Sequence, residues 1–241
     1  MKVIILAAGE GRRLRPLTDT IPKCLVEYRG RPIIDYQLDA IRACGINEIV
    51  AIIGYKADVF HRGGVSTILN TDYANTNMVY TLFCAEKELI GNVIISYGDI
   101  IYGENTLKSL INCPDDFSTA IDVNWRQLWN KRMANPLTDA ETLKVDNNGY
   151  ITELGKKPKS YEEIQGQYMG LIMIRSTILN KIINLYHNLD KKKYYDGKDF
   201  NNMYMTSFLQ LCLENVAPLK AVNINYKWIE IDRVEDLLVE I

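Results

Sequence analysis

Residues Val3 to Leu6 form a short apolar run that passes directly into Ala7-Ala8-Gly9-Glu10-Gly11-Arg12-Arg13-Leu14-Arg15, and this junction constrains the fold more than any other stretch. An unbroken apolar run of this length reads as a strand buried on both faces. The small residues after it remove side chains that would hold a backbone away from a ligand. Glycine also permits the positive φ of an anion-cradling turn. Arg13, Arg15 and Lys23 then bring fixed positive charge to the same place. A buried strand, a close-approach turn and a group of cations predict an α/β sheet that holds a polyphosphate beyond its first strand.

The rest of the chain alternates short β-rich runs with longer amphipathic stretches. Strands are predicted at Val3–Leu6, Glu48–Ile53, Thr67–Leu69, Asn92–Tyr97, Ser118–Val123, Thr142–Val145, Ile151–Leu154, Gly170–Ile174 and Leu219–Ile224. Helices are predicted at Ile33–Ala43, Asn77–Ala85, Glu104–Ile111, Thr177–Tyr186 and Tyr204–Leu213. The β-α-β order predicts an α/β class with a Rossmann-like, mostly parallel central sheet and helices on both faces. Residues from about 120 to 175 read instead as antiparallel strands, a small β-rich lobe that closes over the acceptor end of the site. The expected organisation is one domain, 1–241: a nucleotide-binding core at 1–112, an acceptor-binding lobe at 113–175, and a return to the core at 176–241. Ligands of such sheets bind beyond the carboxyl ends of the strands, which selects the loops Ala7–Arg15, Gly54-Tyr55 and Gly98-Asp99.

A net charge of -2 argues against a broad nucleic-acid or membrane-surface footprint, so the basic residues read as local ligand contacts. The five cysteines are widely spaced with no CxxC pair, which suggests neither a zinc site nor a disulfide framework. With no leader-like or membrane-length apolar segment, the expected location is cytoplasmic. The chain has two histidines, His61 and His187, no Gly-x-Ser-x-Gly elbow and no His-Glu-x-x-His, so hydrolase and zinc-peptidase readings lack support.

Two common phosphate loops fail against the opening segment. No Gly-x-x-x-x-Gly-Lys-Ser/Thr run follows Gly9 or Gly11, and Leu14 stands where the dinucleotide fingerprint needs glycine or alanine. The pattern that fits is L-A-A-G-x-G-x-R-L-x-P-x-T-x-x-x-P-K-x-L, met at every fixed position from Leu6 to Leu25. It resembles the signature of nucleotidyltransferases that make nucleoside-diphosphate sugars and related CDP-activated compounds. That resemblance implies attack of an acceptor phosphate oxygen on the α-phosphate of a nucleoside triphosphate, with release of pyrophosphate. Such a nucleophile is already anionic near neutral pH, so cations and positioning are needed rather than a general base.

By this resemblance Lys23 bridges the α-phosphate and the acceptor, and Arg13 grips the triphosphate. Arg15 is a helper or a solvated residue. Asp99, at the end of an apolar-strand-Gly-Asp element, and Asp232, in Trp228-Ile-Glu-Ile-Asp-Arg-Val-Glu-Asp-Leu237, match the family's magnesium ligands, with Glu230 a weaker candidate. Each aspartate has an alternative reading as a cap or turn residue. Leu6, Ala7, Ala8, Gly9, Glu10, Gly11, Gly54, Tyr55, Asn77, Thr81 and Gly98 form the expected nucleotide contacts. The spacing Asn70-x-x-Tyr73-x-x-x-Asn77-x-x-x-Thr81-Leu82 resembles the cytidylyltransferase branch that activates phosphocholine, making CTP the expected substrate. Asn77 reads equally as a helix N-cap.

The hexose-activating relatives carry Glu-Glu-Lys-Pro in the middle lobe, where this chain has Gly155-Lys156-Lys157-Pro158. Loss of that carboxylate suits an anionic or amphoteric acceptor. Trp125, Arg132, Glu141, Glu153, Lys156, Tyr168 and Gly170 are the expected acceptor contacts, with Arg126, Arg132 and Lys156 suited to an α-carboxylate. Trp125 and Trp129, four apart, also read as simple packing. Phosphocholine, 2-aminoethylphosphonate and an amino-acid phosphate such as L-glutamine phosphate of capsule phosphoramidate synthesis all fit; the last is favoured. A sugar-1-phosphate uridylyl- or thymidylyltransferase and a non-catalytic nucleotide-binding subunit are the rival readings. The partners expected are small-molecule substrates, with no nucleic acid and no membrane, and a homodimer is left open.

Overall fold

A computed structural model describes all residues 1–241. In chain order the strands are β1 (Lys2–Ala7), β2 (Glu27–Tyr28), β3 (Arg31–Pro32), β4 (Glu48–Ile53), β5 (Ser66–Leu69), β6 (Val93–Tyr97) and β7 (Ile100–Tyr102). They continue with β8 (Phe117–Asp122), β9 (Leu143–Val145), β10 (Tyr150–Leu154), β11 (Gln167–Ile174), β12 (Leu219–Ile224) and β13 (Trp228–Glu230). The helices are α1 (Ile33–Ala43), α2 (Met78–Cys84), α3 (Glu104–Ile111), α4 (Trp125–Arg132), α5 (Ser176–Asn188) and α6 (Met205–Asn215).

Nine strands form one sheet in the order β5-β4-β1-β6-β11-β8-β12-β10-β9. The β5-β4-β1-β6 half is parallel, as is β8 with β12, while β11 and β10 run against their neighbours. The mixed, mostly parallel α/β sheet expected from the sequence is therefore present. Strands β8 and β11 of the expected acceptor lobe lie inside this sheet, and only β9 and β10 hang at its edge.

Burial on both faces follows from the alternation of side chains along each strand. Val3, Ile5 and Ala7 of β1 enter one apolar cluster with α1 and α3, while Ile4 and Leu6 enter the other with α2, α5 and α6. Helix α1 packs through Ile33, Ile34, Leu38 and Ile41, with Asp35 in its first turn and Arg42 in its last to complement the helix dipole.

Helix α4 and the short strands β2, β3, β7 and β13 depart from expectation. Trp125–Arg132 is a helix, because Trp125, Leu128, Trp129 and Arg132 recur at helical spacing and bury one face. Strand β13 pairs with β7 in a separate two-stranded ribbon, Glu230 opposite Ile100. The next residue continues the contact: Ile231 N donates to Asp99 O at 2.9 Å. That ribbon carries the chain end back to the tip of β6.

Candidate active site

The site forms where β1 and β6 end. Gly11, at φ 64°, turns the chain so that Lys23 packs directly against it; a Cβ built there would stand 2.9 Å from Lys23 Cβ. Thr18 holds the same turn by donating from its hydroxyl to Gly11 O at 2.9 Å. At Gly98 a Cβ would meet Leu6 O at 2.7 Å, so glycine is what lets the strand ends approach and Asp99 enter the site.

Lys23 Nζ donates to Asp99 Oδ2 at 2.7 Å and to Asp232 Oδ1 at 2.8 Å. Arg13 lies 2.5 Å from the other oxygen of Asp232. Burial alone would lower the pKa of Lys23, but Asp99, Asp232 and Glu230 outweigh it and keep the ammonium charged. Burial opposes ionisation of Asp232 as well, and the neighbouring Lys23 outweighs it, so that carboxyl titrates below its usual range. Glu230 moves the opposite way, pushed up by burial and by the charge of Asp99.

Two cavities meet here, sharing Asn77 and Met78 in their walls. The first is lined by Leu6, Ala7, Ala8, Gly9, Lys23, Tyr73, Thr76, Thr81, Gly98 and Asp99. Asn77 caps α2, its side-chain oxygen accepting from Met78 N at 2.8 Å, and still faces both cavities. Thr81 accepts from Asn70 Nδ2 at 3.0 Å, which fixes that wall.

The second cavity, about 380 Å³, is lined by Arg13, Asp139, Glu141, Gln167, Thr206, Glu230 and Asp232, with the faces of Tyr97, Trp129, Tyr168, Tyr204 and Trp228. Gly170 also lines it. Gln167 braces Glu141 by donating to its carbonyl at 2.7 Å and accepting from its N–H at 3.3 Å. Burial, reinforced by Asp139, pushes the Glu141 carboxyl up to about 7. The Tyr168 hydroxyl is buried without a hydrogen-bond partner.

Several expected contacts lie elsewhere. Trp125 is buried in the core, edge-to-face with Trp129 at 6.0 Å, because α4 turns it inward. Arg132 is committed to Asp236 at 2.8 Å, and Arg126 stacks 3.8 Å over the Tyr161 ring. Glu153 pairs with Lys144 at 2.9 Å on the edge strands, and Lys156, 55% exposed, lies 3.6 Å from Glu153. Arg13 is thus the one cation lining the second cavity, whose charged walls are otherwise acidic. Glu10 is turned to Arg12 at 2.6 Å, and Arg15 lies 3.5 Å from Asp19. Gly54 and Tyr55 act from behind: Tyr55 N donates to Ala8 O at 3.0 Å, and its ring meets Tyr73 edge-on at 6.1 Å.

Asp139, Tyr204, Thr206 and Trp228 were not anticipated as lining residues, whereas Tyr73 belongs to the quoted Asn70–Thr81 pattern. Asp139-Ala140-Glu141 held a usable signal, two carboxylates flanking a small residue in the acceptor segment. Thr206 and Tyr204 reach the cavity only through the docking of α6.

No group of three or more His, Cys, Asp or Glu is arranged to hold a metal ion by itself. Magnesium asks for less, one or two carboxylates completed by substrate phosphates and water. Asp99 and Asp232 converge on one ammonium, and Asp99 Oδ1 is buried with no hydrogen-bond partner. This pair of hard oxygen donors fits such an ion.

An anion-receptive loop on a doubly wound sheet, with a lysine between two carboxylates, defines a nucleotidyltransferase. Residues 3–144 match the MobA-like NTP transferase domain, and the chain belongs to that family. Within it, the chain is 46% identical to CTP:phosphoglutamine cytidylyltransferase of Campylobacter jejuni, covering 100% of this chain and 99% of the relative. It is 39% identical to choline-phosphate cytidylyltransferase of Streptococcus pneumoniae over 42% of this chain and 46% of that protein. The recognised branch is thus the cytidylyltransferases. Among solved structures, CTP:phosphocholine cytidylyltransferase from S. pneumoniae shares the fold with a TM-score of 0.72 at 24% identity, covering 98% of this chain and 95% of that one. The inositol-1-phosphate CTP transferase from T. maritima shares it with a TM-score of 0.75 at 20% identity, over 98% and 90%.

Proposed function

We propose that this enzyme is a magnesium-dependent cytidylyltransferase that joins CTP to a small amine-bearing phosphate and releases pyrophosphate. L-Glutamine phosphate is the favoured acceptor, with phosphocholine and 2-aminoethylphosphonate as related ones, and the product serves cell-surface polysaccharide modification. The observation that carries the reading is Lys23 in the wall of the first cavity, 2.7 Å from Asp99 of that wall and 2.8 Å from Asp232 of the second. The full-length relative, a CTP:phosphoglutamine cytidylyltransferase, supports the choice of both substrates.

In this reading the base and ribose lie against Ala7, Ala8 and Gly9, with Asn77 and Thr81 on the far wall. The acceptor enters the second cavity with its phosphate toward Lys23 and Arg13. Its oxygen is already ionised, so the protein neutralises repulsion between two anions and aligns them for in-line attack. Lys23 leaves its carboxylates to bridge the α-phosphate and the incoming phosphate, and Arg13 holds the departing pyrophosphate. Asp99 and Asp232 would hold the magnesium ion, which when bound supplies charge neutralisation at the phosphates.

The acceptor's nitrogen end meets Asp139 and Glu141 among aromatic faces. That lining favours an ammonium, by ion pairing and by cation–π attraction. It favours a hexose less, and the α-carboxylate contacts expected at Arg126, Arg132 and Lys156 are withdrawn with those residues. Pyrophosphate release measured with four nucleoside triphosphates against L-glutamine phosphate, phosphocholine, 2-aminoethylphosphonate and glucose 1-phosphate tests the reading. CTP with an amine-bearing acceptor is expected to be fastest; UTP or dTTP with glucose 1-phosphate being fastest would refute it.

A further inference from the structure

Arg132 carries a charge into the interior that neither cavity uses. It ends α4 with a side chain 2% exposed. Its Nε donates to Asp236 Oδ1 at 2.8 Å, and a terminal nitrogen donates to Asp236 Oδ2 at 3.2 Å. Asp236 is equally buried. The same Oδ2 accepts the backbone N–H groups of Asp232 and Arg233, each at 2.8 Å. One carboxylate therefore takes the guanidinium fork on one side and caps the turn at Asp232 on the other. The remaining terminal nitrogen of Arg132 has no hydrogen-bond partner and lies 3.7 Å from Glu230 Oε2.

A buried ion pair is a poor source of stability, because desolvation cancels much of its attraction and an apolar pair of similar volume often serves as well. Apolar packing around α4 is already supplied by Trp125, Leu128 and Trp129. What an apolar pair lacks is an acceptor aimed at the Asp232–Arg233 backbone and a guanidinium beside Glu230. We propose that Arg132 and Asp236 are positioning residues for nucleotidyl transfer: their fork fixes the backbone at Asp232 and so directs that carboxylate toward Lys23 and a bound cation. Helix α4, in the acceptor half, is thereby tied to the cation-binding side of the site. The inference rests on the reading of Asp232 as a cation ligand.

The test replaces the pair by apolar side chains, Arg132→Met with Asp236→Leu, and compares it with Arg132→Lys and with Asp232→Asn. Manganese binding without nucleotide is followed by electron paramagnetic resonance, beside thermal melting and the kcat and KM for CTP. The folded double variant is expected to bind manganese about 10- to 100-fold more weakly and to lose kcat by a similar factor. KM for CTP should change little. Arg132→Lys keeps the charge, loses the fork, and should fall between. Wild-type manganese affinity and kcat in the folded double variant would overturn the inference. If the double variant does not fold, the same result in Arg132→Lys overturns it. Unchanged manganese binding in Asp232→Asn would instead refute the role of Asp232 itself.

Discussion

Lys23→Ala is the most demanding perturbation, because one ammonium serves two carboxylates. Its side chain is 14% exposed, and its partners Asp99 and Asp232 are 11% and 13% exposed. Removing one member of a buried ion pair costs about 3–5 kcal/mol, since the remaining charge stays desolvated without its partner. Here Asp232 keeps Arg13, but that arginine is 58% exposed and weakly held, so the upper half of the range applies to the pair. For a chain of this length about 4 kcal/mol corresponds to a fall in Tm of roughly 8–16 °C. The fold should survive, because the two apolar clusters flanking the sheet do not include Lys23. Loss of a preorganised cation at the developing charge should lower the transfer rate about 100- to 1,000-fold. Melting in the absence and presence of magnesium supplies a second readout. Without the ammonium between them, Asp99 and Asp232 should gain more from the ion than they do in the wild type, so magnesium should raise Tm further in the variant. A variant that transfers at the wild-type rate, or whose Tm is unchanged and insensitive to magnesium, would refute the reasoning.

Three further outcomes follow from particular residues. Asp99→Asn should abolish transfer while circular dichroism stays native, since an amide oxygen can still accept from Lys23 and Oδ1 has no hydrogen bond to lose; wild-type turnover would remove Asp99 from the site. Gly11→Ala forces a Cβ to 2.9 Å from Lys23 Cβ at a φ of 64°, so it should cut kcat at least tenfold and cost ~1–2 kcal/mol in denaturant unfolding. Unchanged kcat would show that the turn does not position Lys23. Glu141 titrates at about 7 in the fold against 4.5 in the open chain. Its raised value makes it a cost that is absent below pH 4.5, grows as pH rises, and is complete above pH 7. Glu141→Gln should therefore raise stability by about 3 kcal/mol above neutrality and leave it unchanged in acid. The same ionisation should lower the KM for an ammonium-bearing acceptor as pH rises through 7, and the glutamine variant should lose that trend relative to wild type. A parallel pH profile in both proteins would contradict ammonium binding at Glu141.

The parts of the fold that were legible are those whose signal is local. Helices Ile33–Ala43 and Glu104–Ile111 and strands Glu48–Ile53 and Leu219–Ile224 have the bounds expected from periodicity. The loop from Leu6 to Leu25 was legible because the close approach of Lys23 to Gly11, at a positive φ, demands glycine at a fixed position. Helix α4 was missed because it spans only eight residues and one of its four buried positions is the charged Arg132, leaving three apolar residues to mark the period. The β7–β13 ribbon was missed because each strand spans three residues and depends on a partner far along the chain. The acceptor contacts were harder for a related reason. Trp125, Arg132, Glu153 and Lys156 have suitable chemistry, but burial and ion pairing with Asp236 and Lys144 decide where such groups point. The cavity's acidic walls at Asp139 and Glu141 come together with Thr206 only through the packing of α6 against the sheet.

The central claim is that CTP and L-glutamine phosphate are joined with loss of pyrophosphate. Phosphorus NMR of a reaction containing enzyme, magnesium, CTP and L-glutamine phosphate tests it most directly. A new pair of coupled diphosphate resonances from the CDP-linked product is expected, appearing in step with pyrophosphate and about 100- to 1,000-fold more slowly with Lys23→Ala. Pyrophosphate formed only from UTP or dTTP with a hexose 1-phosphate, and no coupled pair from CTP with any amine-bearing phosphate, would contradict it.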